Sequence, residues 1–223
     1  MLRLVCLVTL ATAAALATGC AEPRSLLVSR PDDAGLDRAV TAMWAHEIHG
    51  VARDGDWLLT RSYYALGDAI AKLTPGLDLS HASVYDATRD TVIEAVGDGV
   101  REIPLAELIA RNHYVVVVRP AKMTAAEQRA ALDRARTQLG AAFDKTGLFG
   151  FDDPSAFYCS ELVWWASDME RRSGVRERVI SPADLMKYGQ VIYWSGERTD
   201  PQVLALAQAG SARRSPATAT AAR

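Results

Sequence analysis

The chain has 223 residues, 49% of them hydrophobic, with 25 basic and 27 acidic side chains. That composition excludes a disordered chain, a collagen-like repeat and a disulfide-dense miniprotein. A formal net charge of -2 supplies no basic footprint, so nucleic acid is not an expected partner. The length suits one domain with a sizeable core plus appendages.

The first residues read as a targeting segment. Arg3 supplies a positive start, and residues 4–17 form an apolar stretch too short for a comfortable membrane span. It runs into Leu16-Ala17-Thr18-Gly19-Cys20, which resembles a bacterial lipobox, with Ala17 where Leu is commonest. The resemblance implies cleavage before Cys20 and acylation of its thiol and amine, and several acyl chains suffice for stable anchoring. The other reading is an ordinary signal peptide in which Cys20 is incidental. Ala21 offers no Asp-type retention signal. In a diderm host the expectation is a lipid-anchored protein of the cell envelope, in the outer membrane and facing the periplasm. Cleavage would also remove Cys6, leaving Cys159 as a lone thiol where disulfides form readily. Such a thiol is either buried and inert or kept for its chemistry.

In chain order, residues 21–38 read as a tether and residues 39–50 as a short helix. Asp54-Gly55-Asp56 is a turn signal. Residues 57–60 read as a strand. Tyr63, Leu66, Ile70 and Leu73 recur at helical spacing, and Thr74-Pro75-Gly76 ends that helix. Residues 80–86 and 91–96 read as strands joined by the polar turn 87–90, with Gly97-Asp98-Gly99 closing the hairpin. Residues 105–111 suit a short amphipathic helix. The run Val115-Val116-Val117-Val118 suits a strand buried on both faces. Thr124 and Glu127 form a capping-box pattern before a helix over 125–139, which Gly140 can close. Residues 143–154 read as loop, 158–172 as a second long helix ended by Gly174, and 191–194 as a last strand, with Ser181-Pro182-Ala183-Asp184 opening a short helix before it. Helices and strands mix without βαβ alternation, so the class is α+β. The chain divides into a signal peptide over 1–19, an anchor, tether and helix over 20–51, a domain over 52–198, and a tail over 199–223 that reads as disordered, with residues 204–209 able to form a helix.

Three residues carry the chemistry. Cys159 opens a helix, where unpaired backbone N–H groups favour a thiolate, the nucleophile for attack on an acyl carbonyl. Its neighbours Leu162, Val163 and Ala166 equally suit a buried structural Cys. With a four-residue turn at 87–90, His81 opposes Val96 and Ser83 opposes Glu94. Glu94 is then the diagonal neighbour of His81 on one face of the hairpin. It can accept one ring N–H, leaving the other nitrogen to take a proton from Cys159. A slip of one residue would put Glu94 on the opposite face.

Ser80-His81-Ala82-Ser83-Val84-Tyr85, then Val92-Ile93-Glu94-Ala95, then Phe157-Tyr158-Cys159-Ser160-Glu161-Leu162-Val163 resemble the permuted papain-like amidase family. This is a branch of the NlpC superfamily, related to lecithin:retinol acyltransferase. Papain itself has Cys before His, whereas the permuted branch has His first, as here. Gly55-Asp56-Trp57-Leu58 resembles the strand that opens the family domain, and Ser181-Pro182-Ala183-Asp184-Leu185 the segment after the Cys helix. Phe143-Asp144 stands where the family tends to have Tyr-Asp. The resemblance spans residues 52–196. It implies an antiparallel sheet with the Cys-bearing helix packed against it. It assigns Cys159 as nucleophile, His81 as base and then acid, and Glu94 as orienting group, with no cofactor.

Other features compete. His46 and His49 fall one residue short of the His-Glu-x-x-His zinc spacing and lack an evident third ligand. His113 is the alternative third member of the site. Trp164, Trp165, Tyr63 and Tyr64 suit either a substrate cleft or core packing. The basic residues from Arg171 to Arg178 mix with Glu170 and Glu177 and read as solvated surface. Two function classes follow. One is a thiol hydrolase, an amidase or peptidase cleaving an amide or ester of peptidoglycan peptides or N-acyl lipids, with transfer to another acceptor as a variant. The other is a non-catalytic envelope module that binds cell-wall peptide or lipid.

Overall fold

The computed structural model describes residues 23–73, 77–147, 150–151, 153–176 and 179–214. The segment read as a signal peptide, Cys6, Cys20, residues 177 and 178, and the end of the chain from 215 lie outside them. The elements in order are α1 (Ala34–Val51), β1 (Trp57–Ser62), α2 (Ala65–Leu73), β2 (His81–Asp86), β3 (Thr91–Val96) and β4 (Gly99–Pro104). They continue with α3 (Leu105–Ala110), β5 (Asn112–Pro120), α4 (Ala125–Thr137), β6 (Ala142–Phe143), β7 (Ala156–Phe157) and α5 (Cys159–Ala166). Last come α6 (Met169–Ser173), a 3₁₀ turn (Asp184–Tyr188), β8 (Gly189–Trp194) and α7 (Pro201–Arg214).

Six strands form one antiparallel sheet in the order β4-β3-β2-β1-β5-β8. Alternate residues feed two cores, one on each face. Trp57, Leu59, Val116 and Val118 pack on one side with Leu132 and Ala135 of α4 and Leu162, Val163 and Ala166 of α5. Leu58, Val115 and Val117 pack on the other with Val40, Trp44 and Ile48 of α1, Leu105, Leu108 and Ile109 of α3, and Val203 and Ala207 of α7. Burial on both faces is why β5 tolerates an unbroken valine run. This is the α+β architecture expected, an antiparallel sheet with the Cys-bearing helix laid against it.

Several local features follow from particular side chains. The capping box forms, with the Glu127 N–H donating to Thr124 Oγ1 and the Thr124 N–H to Glu127 Oε2. Asp56 is fully buried and accepts from Arg119 Nη2 at 2.7 Å and Gln128 Nε2 at 2.9 Å, pinning β1 to β5 and α4. Gly55 beside it has φ +79°, and a Cβ there would meet the Gln128 carbonyl oxygen at 2.3 Å. Only glycine serves at that turn.

The structure departs from the sequence reading in four places. The hairpin does not end at residues 97–99: the chain turns there and returns as β4. Residues 158–172 are not one helix. They break at Asp168, which has φ +53°, and Ser167 just before it accepts the indole N–H of Trp57 on Oγ at 3.0 Å. Residues 142–143 and 156–157, flanking the 143–154 loop, pair as two short parallel strands. The helix read over residues 204–209 extends over 201–214 and is seated on α1, with Val203 and Ala207 buried, so ordered structure reaches into the segment read as a tail.

Arg198, fully buried just before α7, secures that last helix. It donates to the carbonyls of Asn112, Asp37 and Ile109, to the Asp37 carboxylate and to Thr41 Oγ1, and lies over the Trp44 ring.

Candidate active site

Ser83 pairs with Glu94 across β2 and β3, with Val84 opposite Ile93, the register the four-residue turn implies. His81 and Glu94 therefore share a face, and His81 Nε2 lies 2.7 Å from Glu94 Oε2. With Nε2 committed to the carboxylate, Nδ1 is the nitrogen left for the thiol. Cys159 and His81 line the same cleft, where each favours the charged form of the other and the Ala82 backbone N–H favours the thiolate. The thiol is 5% exposed and Glu94 fully buried.

The first turn of α5 is built to hold Cys159 still. Tyr158 takes an extended conformation ahead of the helix, and its N–H donates to Glu161 Oε2 at 3.1 Å. The Ile180 N–H donates to Tyr158 Oη at 2.9 Å, while Ser160 Oγ donates to the Ile180 carbonyl at 2.7 Å. The segment around Ile180 thus grips the helix on both sides of Cys159. The free Cys159 N–H at the helix start is placed to meet an oxyanion formed on a carbonyl bound at the sulfur.

Electrostatics favour the charged pair. Burial works against charge on His81, but the Cys159 and Glu94 partners outweigh it and raise its pKa to about 9. Burial would push the Cys159 thiol up, yet His81 and the Ala82 N–H bring it below its ordinary value. Burial likewise opposes the Glu94 carboxylate, and the bonds and charges of His81 and Arg111 carry it down to about 2.

Two arginines beside Glu94 escape the sequence reading. Arg111 Nη2 reaches both carboxylate oxygens at 2.7 Å, and Arg101 Nε reaches Oε1 at 2.9 Å. Arg111 caps the C-terminal end of α3, and Arg101 is the cross-strand partner of Glu94 on β4. Together they compensate a carboxylate that would otherwise be costly to bury. The signal for Arg101 was hidden because adjacent charges, Arg101 and Glu102, blur the alternation of β4.

A cleft of about 410 Å³ opens at Cys159 and His81. Tyr64, Leu66, Gly67 and Ile70 form its α2 wall, and Phe143 and Arg111 lie on its lining elsewhere. Phe143, where the family tends to have Tyr, therefore faces the cleft, while Asp144 next to it organises the following loop by accepting the N–H groups of Thr146 and Gly147.

The remaining candidates separate from this site. His113 is buried beneath Tyr63 and Glu197, at 3.5 and 3.6 Å, and does not line the cleft. Of the four aromatic residues singled out, Tyr64 lines the cleft, whereas Trp164 and Trp165 line a separate hollow beside Tyr158. His49 lies 3.5 Å from Asp90 on an exposed face. Among the described residues no group of three or more His, Cys, Asp or Glu is arranged to hold a metal.

A buried thiol and an imidazole on one cleft, the imidazole bonded to a carboxylate, with the His strand ahead of the Cys helix, fit a permuted papain-like arrangement. The chain belongs to the family described as permuted papain-like amidase enzyme, YaeF/YiiX, which matches residues 51–209. The match includes the first half of α7, so the last helix is part of the family domain. It is a family of amidases, which places the chain among the cysteine hydrolases. A solved structure similar to the chain is the metalloprotein YiiX from Escherichia coli O157:H7, 26% identical with a TM-score of 0.44. The similarity covers 56% of this chain and 68% of that one. No curated protein matches the chain.

Proposed function

We propose that the protein is a thiol amidase of the cell envelope in which Cys159, His81 and Glu94 carry the reaction. The observation that supports this reading is that Cys159 and His81 line one cleft and His81 is bonded to the buried Glu94 at 2.7 Å. The Cys159 thiolate attacks the carbonyl carbon of an amide or ester, and the oxyanion forms beside the Cys159 N–H. His81, protonated on Nδ1, gives that proton to the leaving amine as the carbon–nitrogen bond breaks. A water then attacks the thioester, His81 takes one of its protons, and the carboxylic acid leaves with the thiolate restored. Glu94 holds the ring in place and favours the imidazolium throughout.

The substrates that fit an exported amidase are peptidoglycan stem peptides and N-acyl lipids. Cys20 is the anchor in this reading, acylated after cleavage and held in the outer membrane facing the periplasm. No helix among the described residues is long and apolar enough to cross a membrane, so attachment in this account comes from the acyl chains. The test is Cys159→Ala, which should abolish turnover of peptidoglycan fragments and N-acyl lipids while leaving the fold intact. Turnover retained in that variant would refute the reading. Tight binding of either ligand, with no acylation of Cys159 in the wild type, would make the protein a binding module.

A further inference from the structure

The wall of the cleft is also where the N-terminal segment is tied down. The Ala65 N–H donates to the Pro23 carbonyl and the Ser25 N–H to the Tyr63 carbonyl, both at 2.8 Å, and Arg24 bridges to Tyr64. Asp68 of α2 accepts from Ser25 Oγ at 2.6 Å and from the Leu26 N–H at 2.8 Å. Arg61, fully buried, holds the same carboxylate from below. Tyr64, Leu66, Gly67 and Ile70 around these bonds line the cleft. The segment that leads to Cys20 is thus pinned to the wall of the cleft.

That face is apolar where it meets solvent. Leu26 is 93% exposed, Leu27 52% and Leu66 59%. Single exposed leucines are common on soluble proteins. Leu26 and Leu27 lie on the pinned segment and Leu66 on the cleft lining of α2 beside it, with the exposed cations Arg24 and Lys72 on the same two segments. Cys20 precedes Pro23 by three residues, so an acyl anchor there lies within about 11 Å of the pinned chain.

We propose that this face, formed by Leu26, Leu27 and Leu66 on the pinned segment and α2, docks on the bilayer that holds Cys20. Docking turns the mouth of the cleft toward the lipid surface, so the amide or ester brought to Cys159 belongs to an acylated lipid. The inference rests on the thiol-hydrolase and lipid-anchor reading above. The leucines enter the acyl boundary, and Arg24 and Lys72 meet the headgroup phosphates. A soluble wall peptide would be reached from the aqueous side and would gain nothing from such a face.

The test uses the full acylated chain in vesicles of phosphatidylethanolamine and phosphatidylglycerol. Nitroxide labels are placed at Leu26→Cys and at Thr88→Cys in a Cys159→Ser background. Thr88 lies in the β2–β3 turn, at the far end of β2 from His81. The Leu26 label should be reached by dissolved oxygen and shielded from a water-soluble nickel chelate, with the reverse at Thr88. In unlabelled protein, Leu26→Asp with Leu27→Asp should cut hydrolysis of a vesicle-borne N-acyl phospholipid at least tenfold. Alkylation of Cys159 by iodoacetamide should be unchanged in that double variant. Equal chelate access at the two labels, or full vesicle turnover in the double variant, overturns the docking. Wild-type protein that hydrolyses neither lipid nor soluble amides overturns the hydrolase reading instead, and the labels then decide the docking alone.

Discussion

Replacing Glu94 by Gln probes the account at its most constrained residue. The side chain keeps its shape and loses the charge that faces His81. The rise of the His81 pKa from 6.5 to about 9 corresponds to about 3 kcal/mol in favour of the imidazolium, at roughly 1.4 kcal/mol per pH unit. Burial opposes that rise, and Cys159 and Glu94 share the work of producing it. If Glu94 supplies half, its loss lowers the His81 pKa by about one unit and the equilibrium constant for the thiolate–imidazolium pair about tenfold. Loss of ring orientation adds to this, so kcat/KM should fall by at least about tenfold. The alkaline limb of the pH–rate profile should move down by about one unit, because the imidazolium is lost at lower pH without its counter-charge. Arg111 and Arg101 lose their partner as well. Both are partly exposed, at 18% and 39%, so the loss costs less than the roughly 3–5 kcal/mol of a fully buried unpaired charge, and the assay is run cold, with near-UV circular dichroism to show the fold is intact. A folded variant with an unmoved alkaline limb would refute the reasoning.

Two further outcomes follow from the same structure. Arg198→Met should destabilise the protein by about 3 kcal/mol or more, since several buried carbonyls and the Asp37 carboxylate lose their donor, and urea unfolding measures it. Unchanged stability would mean that α7 does not depend on this residue. The site should also shape stability against pH. Glu94, lowered to about 2, contributes stability that is present above about 4.5 and lost as pH falls through about 2. His81, raised to about 9, contributes stability that is present below about 6.5 and lost as pH rises through about 9. The melting temperature should therefore show its largest site contribution between these inner limits. A His81→Gln, Glu94→Gln double variant should flatten the profile, and a double variant that runs parallel to wild type would contradict the assignment.

How much of this was legible in the sequence depends on how local each signal is. The hairpin register could be read because Ala87 to Asp90 is a polar turn between two alternating strands, and that register alone brought Glu94 to His81. Cys159 could be placed at a helix start because Phe157 and Tyr158 suit extended chain and Glu161 suits the third helical position. The arginines that compensate Glu94 were not visible, since they arrive from β4 and the end of α3, and their meeting depends on tertiary packing. The break at Asp168, at φ +53°, likewise left no signal in a run with no glycine or proline before Gly174. The last helix was legible only over residues 204–209, and its full span and its seat on α1, with Ala207 buried, depend on tertiary packing.

The central claim is that Cys159 is held as a thiolate by His81. Its most direct test is the pH dependence of Cys159 alkylation by iodoacetamide, on protein lacking residues 1–20 and on its His81→Ala variant. The account predicts a wild-type midpoint well below the free-thiol value of about 8.5, restored toward that value or above in the variant. A wild-type midpoint at or above about 8.5, or no labelling until the protein is denatured, would contradict it.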